Sequence, residues 1–147
     1  MERQVEALLK GRRFRQLLDN YIGELKEKYA LKTAEIEVLY YLSRGGARNA
    51  AKDIASSLQM NKGHISSTME SLCQRGYVTA SKDSRDYRVI HYTLTEAAAS
   101  MTKEIDLAVG RLYQTLFQGI SPEDQATLKR VAAQMSDNIS RILGEAK

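Results

Sequence analysis

The sequence predicts a mainly α-helical fold with one small β-hairpin, on three observations. A single Pro and nine Gly stand among 147 residues, with no Pro- or Gly-rich stretch to interrupt long helices. Apolar residues recur at steps of three and four over most of the chain, the period of an amphipathic helix. Only between Gly76 and Thr95 does the period change to alternation, as in half-buried strands.

The first helix is expected over residues 5–29, where Val5, Leu8, Leu9, Phe14, Leu17, Leu18, Tyr21, Ile22, Leu25 and Tyr29 make one apolar stripe. Thr33 stands as the N-cap of the second, with Glu35 in its first turn, Ile36, Leu39, Tyr40 and Tyr41 behind it, and Gly45-Gly46 as its stop. Asn49 or Ala50 opens a short helix through Ile54, Ala55 and Leu58, and residues 59–61 make a tight turn. Asn61 then caps a helix carrying Ile65, Met69, Leu72 and Cys73, which Gly76 ends. Residues 77–82 and 88–94 are rich in Val, Ile, Tyr and Thr and read as strands, joined by a loop over 83–87. In the second strand Ile90, Tyr92 and Leu94 share one face and Val89, His91 and Thr93 the other. From Thr95 the helical period returns through Met101, Ile105, Ala108, Val109, Leu112 and Leu116 as far as Gly119. Ser121-Pro122-Glu123-Asp124 starts the last helix with a capping Ser, a Pro suited to the first helical position and two acids at the positive end of the dipole. Its stripe is Leu128, Val131, Met135, Ile139 and Ile142.

Composition narrows the function. With 43% hydrophobic and 27% charged residues, the chain has the balance of a globular protein of one domain over residues 1–147. The lone Cys73 forms no bridge within the chain, falls near the core-facing edge of its helix, and is expected to be inert. The first residues lack the pattern of a signal peptide, and no run approaches the roughly 18 to 20 apolar residues of a membrane span, so a cytoplasmic location and no membrane partner are expected. No glycine-rich phosphate loop, nucleophile elbow or paired-carboxylate frame is visible, so an enzyme is not expected. His64 and His91 have no Cys or His at ligand spacing, so neither a metal site nor a cofactor is expected. The formal net charge of +4 favours a polyanionic partner.

The order helix, short helix, tight turn, helix and hairpin over residues 33–94 is that of a winged helix-turn-helix. A turn of three or four residues sets the second helix across the first, so that its N-terminal turns enter a DNA major groove while its far face packs on the core. That helix buries Ile65, Met69 and Leu72 and presents Lys62, Gly63, His64, Ser66, Ser67 and Thr68. Small and polar groups permit close approach in a groove about 12 Å wide. At the hairpin tip Asp83-Ser84-Arg85-Asp86-Tyr87-Arg88 alternates acids and arginines. Arg85 and Arg88 are candidates for DNA contact, and Asp83 and Asp86 for bracing the wing. Arg12, Arg13 and Arg15 on the first helix read as a solvated face.

Through residues 83–88, followed by Leu94-Thr95-Glu96 and preceded by Leu72 and Gly76, the sequence resembles the MarR family of transcriptional regulators. The resemblance covers nearly the whole chain. It implies a homodimer whose first and last helices, residues 1–30 and 121–147, interlock around the winged helix-turn-helix of 33–94, with 95–119 as a linking helix. It implies a recognition helix at 61–75, a wing at 77–94, and binding to a pseudo-palindromic double-stranded DNA operator, usually as a repressor. It also implies a small amphipathic or phenolic effector, for which Tyr21, Tyr29, Tyr40, Tyr41 and Met101 are candidate pocket residues. Two positions depart from the family pattern: Ala80, where many relatives carry Arg, and Ala98, where Gly is common. The alternative reading is a helical dimer whose winged region binds another protein rather than DNA.

Overall fold

In the computed structural model, residues 3, 5, 8, 11–45 and 47–145 are described. Gly11 sets the start of the first long helix. Its φ of +69° is a left-handed conformation that suits glycine, and α1 runs from there as Arg12–Tyr29. Arg3, Val5 and Leu8 are helical on its other side, so the helix expected to run unbroken over 5–29 is interrupted at Gly11. Apolar periodicity carries no information about one residue's φ. Leu9 lies outside the described residues. Ala30, at φ +51°, ends α1, and the Leu31 N–H returns to the Lys26 carbonyl at 2.9 Å, closing the last turn.

Helix α2, Thr33–Arg44, is capped one residue earlier than the sequence suggests. Lys32 is its N-cap, and the Glu35 carboxylate reaches back to accept from the Lys32 N–H at 3.0 Å. Thr33 instead donates its hydroxyl to Asp19 at 3.4 Å. The helix stops at Gly45; Gly46 lies outside the described residues. Helix α3 is Ala51–Leu58, and Gln59, left-handed at φ +52°, turns the chain into α4, Lys62–Gln74. The Asn61 side chain caps α4 by accepting from the His64 N–H at 2.8 Å. At its far end Gly76 takes φ +76° while the Tyr77 N–H bonds the Leu72 carbonyl at 3.1 Å, so the chain leaves directly into the hairpin.

The hairpin pairs β1, Val78–Lys82, with β2, Ile90–Leu94, antiparallel from Val78↔Leu94 to Lys82↔Ile90. Its connection spans residues 83–89 and is longer than expected, because a turn closed by the Val89 N–H on the Asp86 carbonyl occupies the approach to β2. A single bridge between Ala50 and His91 attaches the loop before α3 to β2. A 3-10 turn, Glu96–Ala98, leads into α5, Ala99–Leu116.

The chain divides into two compact units, Met1–Leu112 and Tyr113–Lys147. The core of the first gathers Ile22 of α1, Ile36 and Leu39 of α2, Ile54 of α3, Ile65, Met69 and Leu72 of α4, Val78 of β1, and Met101 and Ile105 of α5. A buried carboxylate ties three of these elements together. Glu35, 4% exposed, accepts from the Ser71 hydroxyl at 2.6 Å and pairs with Arg75 at 3.5 Å. Arg75 also donates to the carbonyls of Tyr29 and Ala30 at the end of α1. In the second unit Ser121 caps α6, Pro122–Ile142, by accepting from the Asp124 N–H at 3.1 Å. No described residue of α6 is buried, and Leu128, Val131, Met135, Ile139 and Ile142 are all exposed. Among the described residues no helix is long and apolar enough to cross a membrane.

Leu72 is fully buried where α4 meets the core. Leu72→Ala is expected to lower unfolding free energy by about 2–5 kcal/mol, read as a fall in the urea midpoint with unchanged slope; an unchanged midpoint would show that this face carries no packing.

Candidate nucleic-acid interface

Because α4 turns Ile65, Met69 and Leu72 into the core, its opposite side faces out. Lys62, His64, Ser66 and Ser67 are exposed there, in the first two turns. Thr68 does not join them. It is 6% exposed and its hydroxyl donates to the His64 carbonyl at 2.8 Å, since three residues after Ile65 and four before Leu72 it shares their helical face. Asn61 supplies the cap that lets Lys62 and His64 begin the helix with their side chains in solvent.

The wing tip is shaped by its own side chains. Asp83 Oδ2 accepts from the backbone N–H of Arg85 at 2.9 Å and of Asp86 at 3.0 Å. Its Oδ1 lies 2.8 Å from His91 Nε2. These partners, the His91 hydrogen bond foremost, pull the Asp83 carboxyl from its ordinary 3.8 down to about 2. Asp86 is also lowered, first by the Arg88 side chain, which meets it through Nε at 3.1 Å and Nη2 at 3.2 Å. Arg88 is therefore forked onto Asp86 in solvent, with its side chain 90% exposed. Arg85 and Tyr87 project from the tip, and Tyr87 is 75% exposed.

Between the wing and the helix-turn-helix lies a cleft of about 500 Å³. Ala50, Ala51, Ala55, Ile65, Val89 and Ile90 line it together with three cationic side chains, Lys52, Lys62 and Arg88. Convergent cations beside a helix face free of bulk suit a phosphate backbone. On the other flank of α4 a second cleft of about 410 Å³ is lined by Arg15, Glu35, Glu37, His64, Ser67, Thr68 and Ser71, among others. Burial there pushes the Glu37 carboxyl up, against the opposing charges of Arg15 and His64.

The five candidate effector residues are not gathered in either cleft. Met101 is buried in the core, Tyr29 donates to Glu104, and Tyr41 donates to the Arg48 carbonyl at 2.8 Å. Tyr21 and Tyr40 are half-buried, Tyr40 with Arg44 over its ring. Cys73 is half-buried, and burial pushes its thiol up, which disfavours the reactive thiolate. Among the described residues no group of three or more His, Cys, Asp or Glu side chains could hold a metal.

Sequence reasoning missed Lys52, Asn49 and the wing role of His91. Lys52 had a usable signal, as a cation in the first turn of the short helix. The contacts of Asn49 and His91 span 42 residues and left no local pattern.

A group whose folded pKa is depressed keeps its contribution above the ordinary carboxylate range and loses it as pH falls through the folded value. The Asp83 side-chain carbon should therefore titrate near 2 by NMR, still ionised at pH values where a free Asp is protonated. A midpoint near 3.8 would mean that the tip hydrogen bonds do not persist in solution.

Comparison with known proteins agrees with this geometry. Residues 31–98 match the winged helix DNA-binding domain family. The transcriptional regulator AdcR of Streptococcus pneumoniae serotype 2 (strain D39) is 29% identical over 145 residues, covering 97% of this chain and 91% of that protein. A MarR-family transcriptional regulator from Silicibacter pomeroyi superposes with a TM-score of 0.75 at 21% identity, over 89% of this chain and 87% of that one. The MepR–DNA complex of S. aureus gives a TM-score of 0.71 at 18% identity, over 94% of this chain and 98% of that one. The segment 31–98 thus matches the winged helix DNA-binding domain, and the chain has the fold of solved MarR-family transcriptional regulators.

Proposed function

We propose that the chain is a homodimeric, sequence-specific regulator of transcription that binds a pseudo-palindromic double-stranded operator and represses until a small ligand releases it. The observation that carries the DNA reading is the cleft in which Lys52, Lys62 and Arg88 converge beside the exposed Lys62, His64, Ser66 and Ser67 of α4. In this reading α4 enters the major groove, the cations of the cleft meet phosphates along its edge, and Arg85 reaches the flanking minor groove. Asp83 and Asp86 brace the tip through the hydrogen bonds described above. The MepR–DNA complex, at similar fold, supports a nucleic-acid partner.

The homodimer rests on α6. A helix with Leu128, Val131, Met135 and Ile139 at 39–54% exposure presents more apolar stripe than a monomer leaves in water. Leu8, 66% exposed on the N-terminal side of Gly11, belongs to the same expected interface. Two copies related by a twofold axis would place two α4 helices in successive major grooves, about 10 base pairs apart. Release requires an effector that binds better to a conformation whose helices no longer match that spacing. Tyr21, Tyr29, Tyr40, Tyr41 and Met101 remain the proposed contacts for an amphipathic or phenolic molecule, which would have to displace the existing partners of Tyr29 and Tyr41.

Selection of binding sites from a random duplex pool at near-physiological salt tests the reading. An inverted repeat bound at least about a thousandfold tighter than scrambled duplex is expected. Failure to enrich any site would favour the protein-binding alternative. On the selected operator, Arg85→Ala is expected to cost roughly 1–3 kcal/mol of binding with the circular dichroism spectrum unchanged; equal affinity would remove the wing from the interface. Truncating Leu128, Val131 and Met135 together to Ala should abolish the dimer in analytical ultracentrifugation and operator binding with it. A stable monomer of full affinity would refute the dimer.

A further inference from the structure

His91 stands between two elements, the wing tip and the loop before α3. Its Nε2 is 2.8 Å from Asp83 Oδ1 at the wing tip, and its Nδ1 is 2.7 Å from Asn49 Oδ1 in the loop before α3. The backbone runs in parallel: the Tyr92 N–H donates to the Asn49 carbonyl at 2.9 Å, and Ala50 bridges to His91. The Asp83 carboxylate that His91 meets also fixes the N–H groups of Arg85 and Asp86 through its second oxygen. The chain of contacts runs Asn49, His91, Asp83, Arg85. It begins two residues before α3, whose Lys52 lines the cationic cleft, and ends at Arg85, which is exposed at the wing tip.

We propose that His91 is a positioning residue that latches the wing tip to the helix-turn-helix, so that Arg85 and α4 are presented to DNA as one rigid body. The proposal rests on the DNA-binding reading for its purpose, though the latch itself is a property of the free protein. The ring suits the task because both its nitrogens are polar and lie on opposite sides of a rigid plane. Nε2–H donates to the Asp83 carboxylate, while Nδ1 faces the Asn49 amide oxygen, an acceptor for an Nδ1–H. A two-residue tether of this kind holds a hairpin whose first strand buries only Val78. Without it, the order of the tip is lost before binding and must be restored in the complex, which lowers affinity without removing any DNA contact.

The test uses the full chain in two arms. In the first, amide hydrogen exchange is followed by NMR without DNA. His91→Ala should speed exchange at Arg85 and Asp86 about tenfold or more, leaving Leu39 and Leu72 amides unchanged. Asn49→Ala, which leaves the wing sequence intact, should do the same and serves if the first variant misfolds. In the second arm, Arg85→Ala is measured on the selected operator alone and combined with His91→Ala. The loss on removing Arg85 should shrink at least threefold once His91 is absent, a coupling that a general loss of stability would not produce. Unchanged exchange in both variants overturns the latch. Faster exchange with fully additive losses overturns its role in presenting Arg85. If the unaltered protein prefers no duplex at all, the DNA reading fails while the exchange arm still decides whether the latch exists.

Discussion

The inward face of α4 is the contact on which the rest of the winged region depends. Ile65, Met69 and Leu72 pack α4 onto α2, α3 and β1, and that commitment fixes which residues are left outside. The Glu35 and Arg75 network then ties its C-terminal end to two other helices: Glu35 of α2 accepts from Ser71 of α4 and from its own N-cap Lys32 N–H, and Arg75 donates to the last carbonyls of α1. A buried carboxylate left without these donors would be costly, so the three helix ends are obliged to meet at one point. Gly76 completes the constraint from the other side. Its left-handed turn sends the chain out of α4 into β1 without a spacer, and the wing inherits the orientation of the helix.

Much of this was legible locally. Asn61, Gly76 and Ser121 are capping residues that act within four or five positions of themselves, and the structure has each where the sequence placed it. The alternation after Gly76 and the stripes of α4 and α5 likewise report burial directly. What escaped the sequence was of two kinds. Gly11 and Lys32 altered helix boundaries through a backbone angle and a side chain reaching back three residues, neither of which disturbs periodicity. Thr68 was assigned to the outer face by residue type, although its spacing from Ile65 and Leu72 argued for the inner one; there helical phase outweighed polarity. The second kind is long-range. Nothing near Asn49 announces His91, and nothing near Tyr29 announces Glu104, 75 residues away.

The site also shows how little of its order comes from strong interactions. The Arg88 and Asp86 fork is almost wholly in solvent, where ion pairs contribute little to stability. Its value is geometric: a planar fork on a carboxylate admits few orientations, and the turn closed at Val89 leaves Tyr87 and Arg85 exposed beside it. Side chains substitute here for the strand hydrogen bonds that a shorter loop would have kept.

The pairing of charges at the tip has a kinetic consequence. Asp83, Arg85, Asp86 and Arg88 sum to zero formal charge, so beyond a Debye length of about 8 Å these four groups of the tip exert almost no net pull on a polyanion, and Lys82 is left as the net cation of the wing. Lys52 and Lys62, which line the cleft with no acid among the other lining residues, add attraction at longer range. Encounter would then be governed by the helix-turn-helix and be sensitive to salt, whereas the wing would engage only after contact and act on dissociation. On the proposed DNA-binding reading, the helix-turn-helix would find the duplex and the wing would set how long the protein stays.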